Sequence, residues 1–218
     1  MLRVNEIFPT IQGEAYWTGT PATFIRLQGC PVGCNWCDTK HTWPKGSHIK
    51  KISIVEMLDK VDPAPTWAEM STEQIVETVG YYSPRHFVIT GGEPCAQDIW
   101  MLTDRLQTLG SVQIETSGTH EIKVAPGTWV TVSPKVDMDG GLDVLPSAII
   151  RADEIKMPIS DKDDIDNLST LLMHRQARTS VWLQPVSQCA TATQLCVDEC
   201  MANRWRLSIQ THKYAGVR

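Results

Sequence analysis

The chain has 218 residues, 42% hydrophobic and 21% charged, with a formal net charge of −5 and no run rich in Lys or Arg. That length suits a single domain spanning 1–218 with a full core, and the acidic balance argues against a direct grip on nucleic acid, which takes clustered cations. No apolar stretch reaches the length of a membrane span, Met1-Leu-Arg-Val-Asn-Glu6 carries no apolar leader, and an odd seven cysteines fit a reducing interior, so the expected compartment is the cytoplasm and the expected partner a small molecule.

A first strand is expected over 23–28, from Thr-Phe-Ile-Arg-Leu-Gln, and it runs into Gly29-Cys30-Pro-Val-Gly-Cys34-Asn-Trp-Cys37. Three thiolates within one loop leave one iron of a four-iron cubane without a protein ligand, open to a substrate or cofactor. The same three cysteines with His41 also make a closed tetrahedral zinc set, and the loop alone leaves both readings standing. Residues 42–66, with Trp43-Pro44, Gly46 and Asp62-Pro-Ala-Pro65, interrupt the rhythm as an insertion after the cysteine loop. A short helix over 53–60 fits inside it, and the insertion is expected to cover the site.

Beyond the insertion, helical stretches over 71–81, 98–109, 163–175 and 192–203 alternate with strands over 86–90, 112–116, 129–133, 154–157, 180–184 and 206–210. Ser71 and Gln74 form a capping box, and Gly110 stops the second helix. Alternation of this kind gives an α/β fold with a parallel sheet. A full eightfold barrel takes about 250 residues, so the expectation is an incomplete, partial parallel β/α barrel. The strand endings are polar or rich in glycine: Gly29-Cys30, Thr90-Gly-Gly-Glu-Pro94, Glu115-Thr-Ser-Gly118, Ser133-Pro-Lys135, Gln184-Pro185 and Gln210-Thr-His-Lys213. Parallel strands bring such ends to one mouth.

Cys-x3-Cys-x2-Cys followed by Gly-Gly-Glu-Pro at the next strand's end resembles the radical S-adenosylmethionine (SAM) superfamily. Glu6-Ile-Phe-Pro-Thr-Ile-Gln-Gly-Glu14, Phe24-Ile-Arg-Leu-Gln-Gly-Cys30, Cys37-Asp-Thr39, His41-Thr-Trp43, Val88-Ile-Thr-Gly-Gly-Glu-Pro94, Ile114-Glu-Thr-Ser-Gly118, Val132-Ser-Pro-Lys135 and Gln210-Thr-His-Lys-Tyr214 resemble, within it, the 7-carboxy-7-deazaguanine synthase family. The resemblance spans nearly the whole chain, the insertion matching least. It implies a carbon–nitrogen lyase on the route to queuosine and related deazapurines. That enzyme contracts the ring of 6-carboxy-5,6,7,8-tetrahydropterin, with loss of ammonia, through a 5′-deoxyadenosyl radical. The implied cofactors are a [4Fe-4S] cluster, SAM and Mg²⁺. A flavodoxin- or ferredoxin-like electron donor and a homodimer are implied as well.

Carried over residue by residue, the resemblance places the cluster on Cys30, Cys34 and Cys37 and SAM on Gly92, Ser133, Pro134, Lys135 and Gln184, with Glu115 near the ribose. It places the pterin against Ile11, Gln12 and Gly13, largely through their backbone, with Glu14, Arg26 and Thr90 as further contacts. Arg26 suits the substrate carboxylate by its planar fork. Thr39 is the implied Mg²⁺ ligand, and His212 with the C-terminal tail closes the pocket. Without the resemblance, Arg26 reads as a residue on the polar face of a strand, Thr39 as a turn cap and Lys135 as a solvated loop lysine. Cys196 and Cys200, four apart on one helix, read as core residues rather than ligands of a second cluster, while Cys95 and Cys189 carry no assigned role. The competing functions are a radical-SAM activase acting on a protein partner and a zinc-stabilised interaction module.

Overall fold

A computed structural model describes residues 1–43, 49–186 and 189–217. The strands are β1 (Leu2–Ile11), β2 (Pro21–Leu27), β3 (Lys50–Lys51), β4 (Thr66–Met70), β5 (His86–Gly91), β6 (Ser111–Thr116), β7 (Trp129–Val132), β8 (Glu154–Ile159), β9 (Ser180–Pro185) and β10 (Arg206–Leu207). The helices are α1 (Ile54–Leu58), α2 (Thr72–Gly80), α3 (Trp100–Gln107), α4 (Pro146–Arg151), α5 (Lys162–Leu171), α6 (Ala190–Asn203) and α7 (Thr211–Ala215). All strands join one sheet in the order β10-β9-β8-β7-β6-β5-β2-β1-β4-β3. From β2 through β10 the pairings are parallel. The two ends of the row do not meet, so the sheet is an open, partial barrel, as the strand–helix alternation predicts.

The parallel strands alternate strictly, as period-2 geometry requires. One register sends Ile25, Leu27, Phe87, Ile89, Ile114, Val130, Val132, Ile155, Met157, Val181 and Leu183 into the core beside Leu102 and Leu106 of α3, Ile149 of α4, Leu168 of α5 and Cys196 of α6. The opposite register carries Arg26, Thr90, Glu115, Thr131, Lys156 and Gln184 on the concave side. Because helices cover the apolar register, the polar one must line the hollow, and that is what builds a site.

Several expectations needed correction. β1 lies outside the expected strands: Val4 to Phe8 are buried without a break, including polar Asn5 and Glu6, so no alternation marks it. It pairs antiparallel with β2, which breaks the all-parallel expectation. The nine-residue connection 12–20 is too short for the crossover that a parallel neighbour needs. Nor were β3, β4 and α4 foreseen. The last predicted strand, 206–210, shortens to two residues, and the chain then turns into α7.

The insertion forms β3 and α1, the latter opened by a capping box between Ser53 and Glu56. Asn5 fastens the return to the sheet by donating to the carbonyls of Ala64 and Thr66 at 3.0 and 2.9 Å. Of its described residues only Thr42 lines the cavity, so the described part extends the sheet edge instead of covering the site. Pro44 and Gly46 lie outside the described residues.

Candidate active site

The parallel strand ends surround a cavity of about 400 Å³, a size that takes small-molecule ligands. Cys30, Cys34 and Cys37 all line it, and all three thiols are free. Burial pushes the Cys30 thiol up to about 11, and burial raises Cys34 against the opposing pull of the Lys135 ammonium. A thiolate-binding metal would reverse that order by taking the deprotonated form. His41 does not complete a zinc set. It does not line the cavity that the three cysteines share. No three His, Cys, Asp or Glu among the described residues converge on one ion.

The Gly-Gly-Glu-Pro segment leaves β5 directly beneath the cysteine loop. A Cβ on Gly92 would fall 2.1 Å from the carbonyl oxygen of Gly29, so only glycine lets the two backbones come together. The amide of Gly92 donates to Leu27 O at 2.9 Å and that of Glu93 to Gly29 O at 2.8 Å. Glu93 is itself buried, its carboxylate accepting from the amides of Cys95 and Ser117 and from the hydroxyls of Thr116 and Ser117. Its role is therefore to tie the ends of β5 and β6 together. After β7, Lys135 donates to the hydroxyl of Ser133 at 2.6 Å and stands 5.2 Å from the ring of Trp36, in the cysteine loop. Removal from water lowers its ammonium pKa.

One wall carries Arg26, Thr90, Thr39 and Phe8. The Nε of Arg26 donates to Glu6 at 2.6 Å, and its guanidinium sits 5.7 Å from the Phe8 ring. That places Arg26 inside the barrel, not on an outer face. The Thr39 hydroxyl lies 3.4 Å from the Cys37 sulfur, and Thr39 O accepts from the Thr42 hydroxyl at 2.8 Å. The turn-cap reading thus describes its backbone, while its side chain stays at the cavity.

The facing wall is a buried charge cluster. Lys156 of β8 pairs with Glu14 and, at 3.2 Å, with Glu115. Glu14 also accepts from Gln210 at 2.8 Å and Gln184 at 3.3 Å. The Gln12 side-chain amide donates to Gln113 at 3.2 Å and Glu115 at 3.0 Å, while its backbone closes the connection through bonds to Gly19 and Thr20 at 2.8 Å. Thr211 donates its amide to Gly13 O at 2.9 Å, and a Cβ on Gly13 would strike the His212 ring. So α7 is seated against the β1–β2 connection, with His212 and Lys213 on the rim.

The structure thus gathers Ile11, Gln12, Gly13, Glu14, Arg26, Cys30, Cys34, Cys37, Thr39, Thr90, Gly92, Glu115, Ser133, Lys135, Gln184 and His212 around one cavity. Pro134 is the exception, facing a neighbouring hollow of about 70 Å³ beside Trp36 and Met157. Cys196 is fully buried in the core and Cys200 packs against it, which agrees with the packing reading. Sequence reasoning missed Lys156, Glu6 and Gln210. Lys156 could have been found, because in β8 it shares a face with Glu154 while Ile155 and Met157 take the other.

Three free thiols beside a bare glycine backbone suit the open cluster and its ligand. Residues 24–135, from β2 through the cysteine loop to Lys135, match the family described as the Radical SAM superfamily. Fold and site together define a radical SAM enzyme, a class that carries a [4Fe-4S] cluster and SAM. The relatives narrow this. The 7-carboxy-7-deazaguanine synthase of Escherichia coli K12 is 51% identical, with 98% of each chain covered. That of Buchnera aphidicola subsp. Schizaphis graminum is 42% identical, over 99% of this chain and 98% of the relative. The crystal structure of QueE from Escherichia coli aligns with a TM-score of 0.91 at 50% identity, covering 96% of this chain and 93% of that one. The chain belongs to the 7-carboxy-7-deazaguanine synthase family.

Proposed function

We propose that this enzyme converts 6-carboxy-5,6,7,8-tetrahydropterin to 7-carboxy-7-deazaguanine with release of ammonia, within queuosine or another 7-deazapurine route. One observation carries the reading: a single cavity joins the three-cysteine loop to Arg26 on one wall and to Glu14, Glu115 and Lys156 on the other. A small ring bearing both a carboxylate and several N–H groups needs that distribution of charge.

Cys30, Cys34 and Cys37 hold the cluster; Gly92, Ser133, Lys135, Gln184 and Glu115 line the SAM side, with Pro134 behind them. When bound, the cluster and SAM supply a hydrogen-abstracting radical. The chain supplies the rest by orientation and exclusion of water. The terminal nitrogens of Arg26 make no hydrogen bond among the described residues and are directed to the substrate carboxylate, Nε being held by Glu6. The backbone of Ile11, Gln12 and Gly13, with Glu14 and Thr90, holds the ring, and His212 closes the rim. Thr39 offers a hydroxyl to Mg²⁺, a hard cation that prefers oxygen ligands. The natural setting we assign is a cytoplasmic homodimer of single-domain chains, reduced by a flavodoxin- or ferredoxin-like donor. No helix among the described residues is long and apolar enough to cross a membrane.

The test is anaerobic incubation with SAM, a reductant and the carboxytetrahydropterin, followed by mass detection. The expected result is 7-carboxy-7-deazaguanine together with ammonia. Brown, iron-loaded protein that cleaves SAM yet leaves the pterin untouched would favour the activase, and colourless protein holding zinc would favour the interaction module.

A further inference from the structure

Lys156 belongs to none of the motifs that define the site, yet its side chain is only 3% exposed and touches two carboxylates. The charged groups around it come from several elements: Glu14 from the β1–β2 connection, Glu115 from β6, Glu154 one layer down on β8, Lys135 after β7 and His212 on α7. Lys156 is the cation that contacts both Glu14 and Glu115.

We infer that Lys156, anchored by Glu115, is a positioning residue that holds Glu14 as a fixed carboxylate acceptor, so that the N–H-rich edge of the ring substrate meets a carboxylate and not a carboxylic acid. This rests on the functional reading above. The hydrogen-bond count supports it. A carboxylate has about four acceptor positions. Glu14 spends three, on Lys156, Gln184 and Gln210, while Glu115 spends two, on Lys156 and Gln12. Both residues line the cavity, so a protonated Glu14 carboxyl would put a donor there against the ligand's donors.

Burial works to protonate Glu14, but the Lys156 ammonium, joined by the Gln210 hydrogen bond and by His212, outweighs it and holds the carboxyl at about 2. Burial also works to discharge Lys156, and Glu115 and Glu14 together keep its pKa raised. The lysine is therefore a permanent charge at any pH where the enzyme works, not a proton shuttle. Remove it, and burial is left to drive Glu14 up towards neutrality.

The experiment measures pterin binding by calorimetry in cluster- and SAM-loaded protein between pH 6 and 8, for wild type and Lys156→Met. The pterin's own titration is common to both, so the ratio of affinities reads the protein. With the ammonium gone, burial raises the Glu14 carboxyl, so the Lys156→Met affinity relative to wild type should fall several-fold, roughly up to tenfold, as the pH drops from 8 to 6. Lys156→Arg, which keeps the charge, should restore the wild-type pH profile, and adding Glu14→Gln to Lys156→Met should flatten it. Iron content and thermal melts show whether each variant is folded. If Lys156→Met does not fold, Lys156→Gln and Lys156→Arg carry the same comparison. A pH-independent ratio in a folded, charge-free variant overturns the inference while leaving the function intact. Wild-type protein that binds no pterin overturns the functional reading, and this inference with it.

Discussion

Replacing Gly92 by alanine tests whether the site depends on two backbones pressed together. The added Cβ would lie 2.1 Å from Gly29 O, 2.4 Å from Gly29 C and 3.0 Å from Cys30 N, all backbone atoms that no side-chain rotation can move aside. Ordinary contact begins near 3.4 Å, so the cysteine loop and the end of β5 must part by about 1.3 Å, the difference between 3.4 and 2.1. That separation stretches the bond from the Glu93 amide to Gly29 O, now 2.8 Å. Overpacking costs about 1–3 kcal/mol and the lost hydrogen bond about 1 kcal/mol more. In a chain of this size the sum lowers Tm by about 5–15 °C. A shift of about 1 Å at the cluster loop should also slow SAM cleavage on the order of a hundredfold. Thermal melts and SAM cleavage by reconstituted protein measure the two effects separately. Gly80→Ala, at a helix end with nothing within 4 Å of its Cβ, is the control and should leave SAM cleavage unchanged and Tm unchanged or slightly raised. If Gly92→Ala melts and cleaves SAM like that control, the close approach has no functional weight.

Arg26→Lys keeps the charge but loses the fork and the Nε bond to Glu6, so pterin affinity should fall at least about tenfold with SAM binding unchanged; equal affinity would return Arg26 to a purely structural role. Thr39→Val removes the hydroxyl at nearly constant volume. Turnover at limiting Mg²⁺ should drop while iron content holds, and turnover equal to wild type would assign the magnesium elsewhere. Glu93→Gln places an amide where four donors converge, and a Tm lowered by several degrees is expected from about 1–3 kcal/mol of unsatisfied polar groups. Cys196→Ala should cost about 1 kcal/mol of packing and no iron; loss of a substantial share of the iron would instead reveal a second cluster.

What the sequence determined alone is what depends on neighbours in the chain. Cys30, Cys34 and Cys37 share one loop whatever the rest of the molecule does, Ser71 and Gln74 cap their own helix, and alternation within each parallel strand decides which side chains face the helices. Parallel pairing then brings the polar strand ends to one mouth, so most of the cavity was legible. The ion pairs that build its walls were not. Lys156 meets Glu14 across 142 residues and Glu115 across 41, in a register set by the pairing of β6, β7 and β8. Arg26 meets Glu6 only because β1 turns back antiparallel on β2. In the sequence each of these is a lone charge within or beside a strand, to be read as a solvated face. A buried lysine is tolerable only next to its carboxylates, and it is the tertiary structure that puts them there.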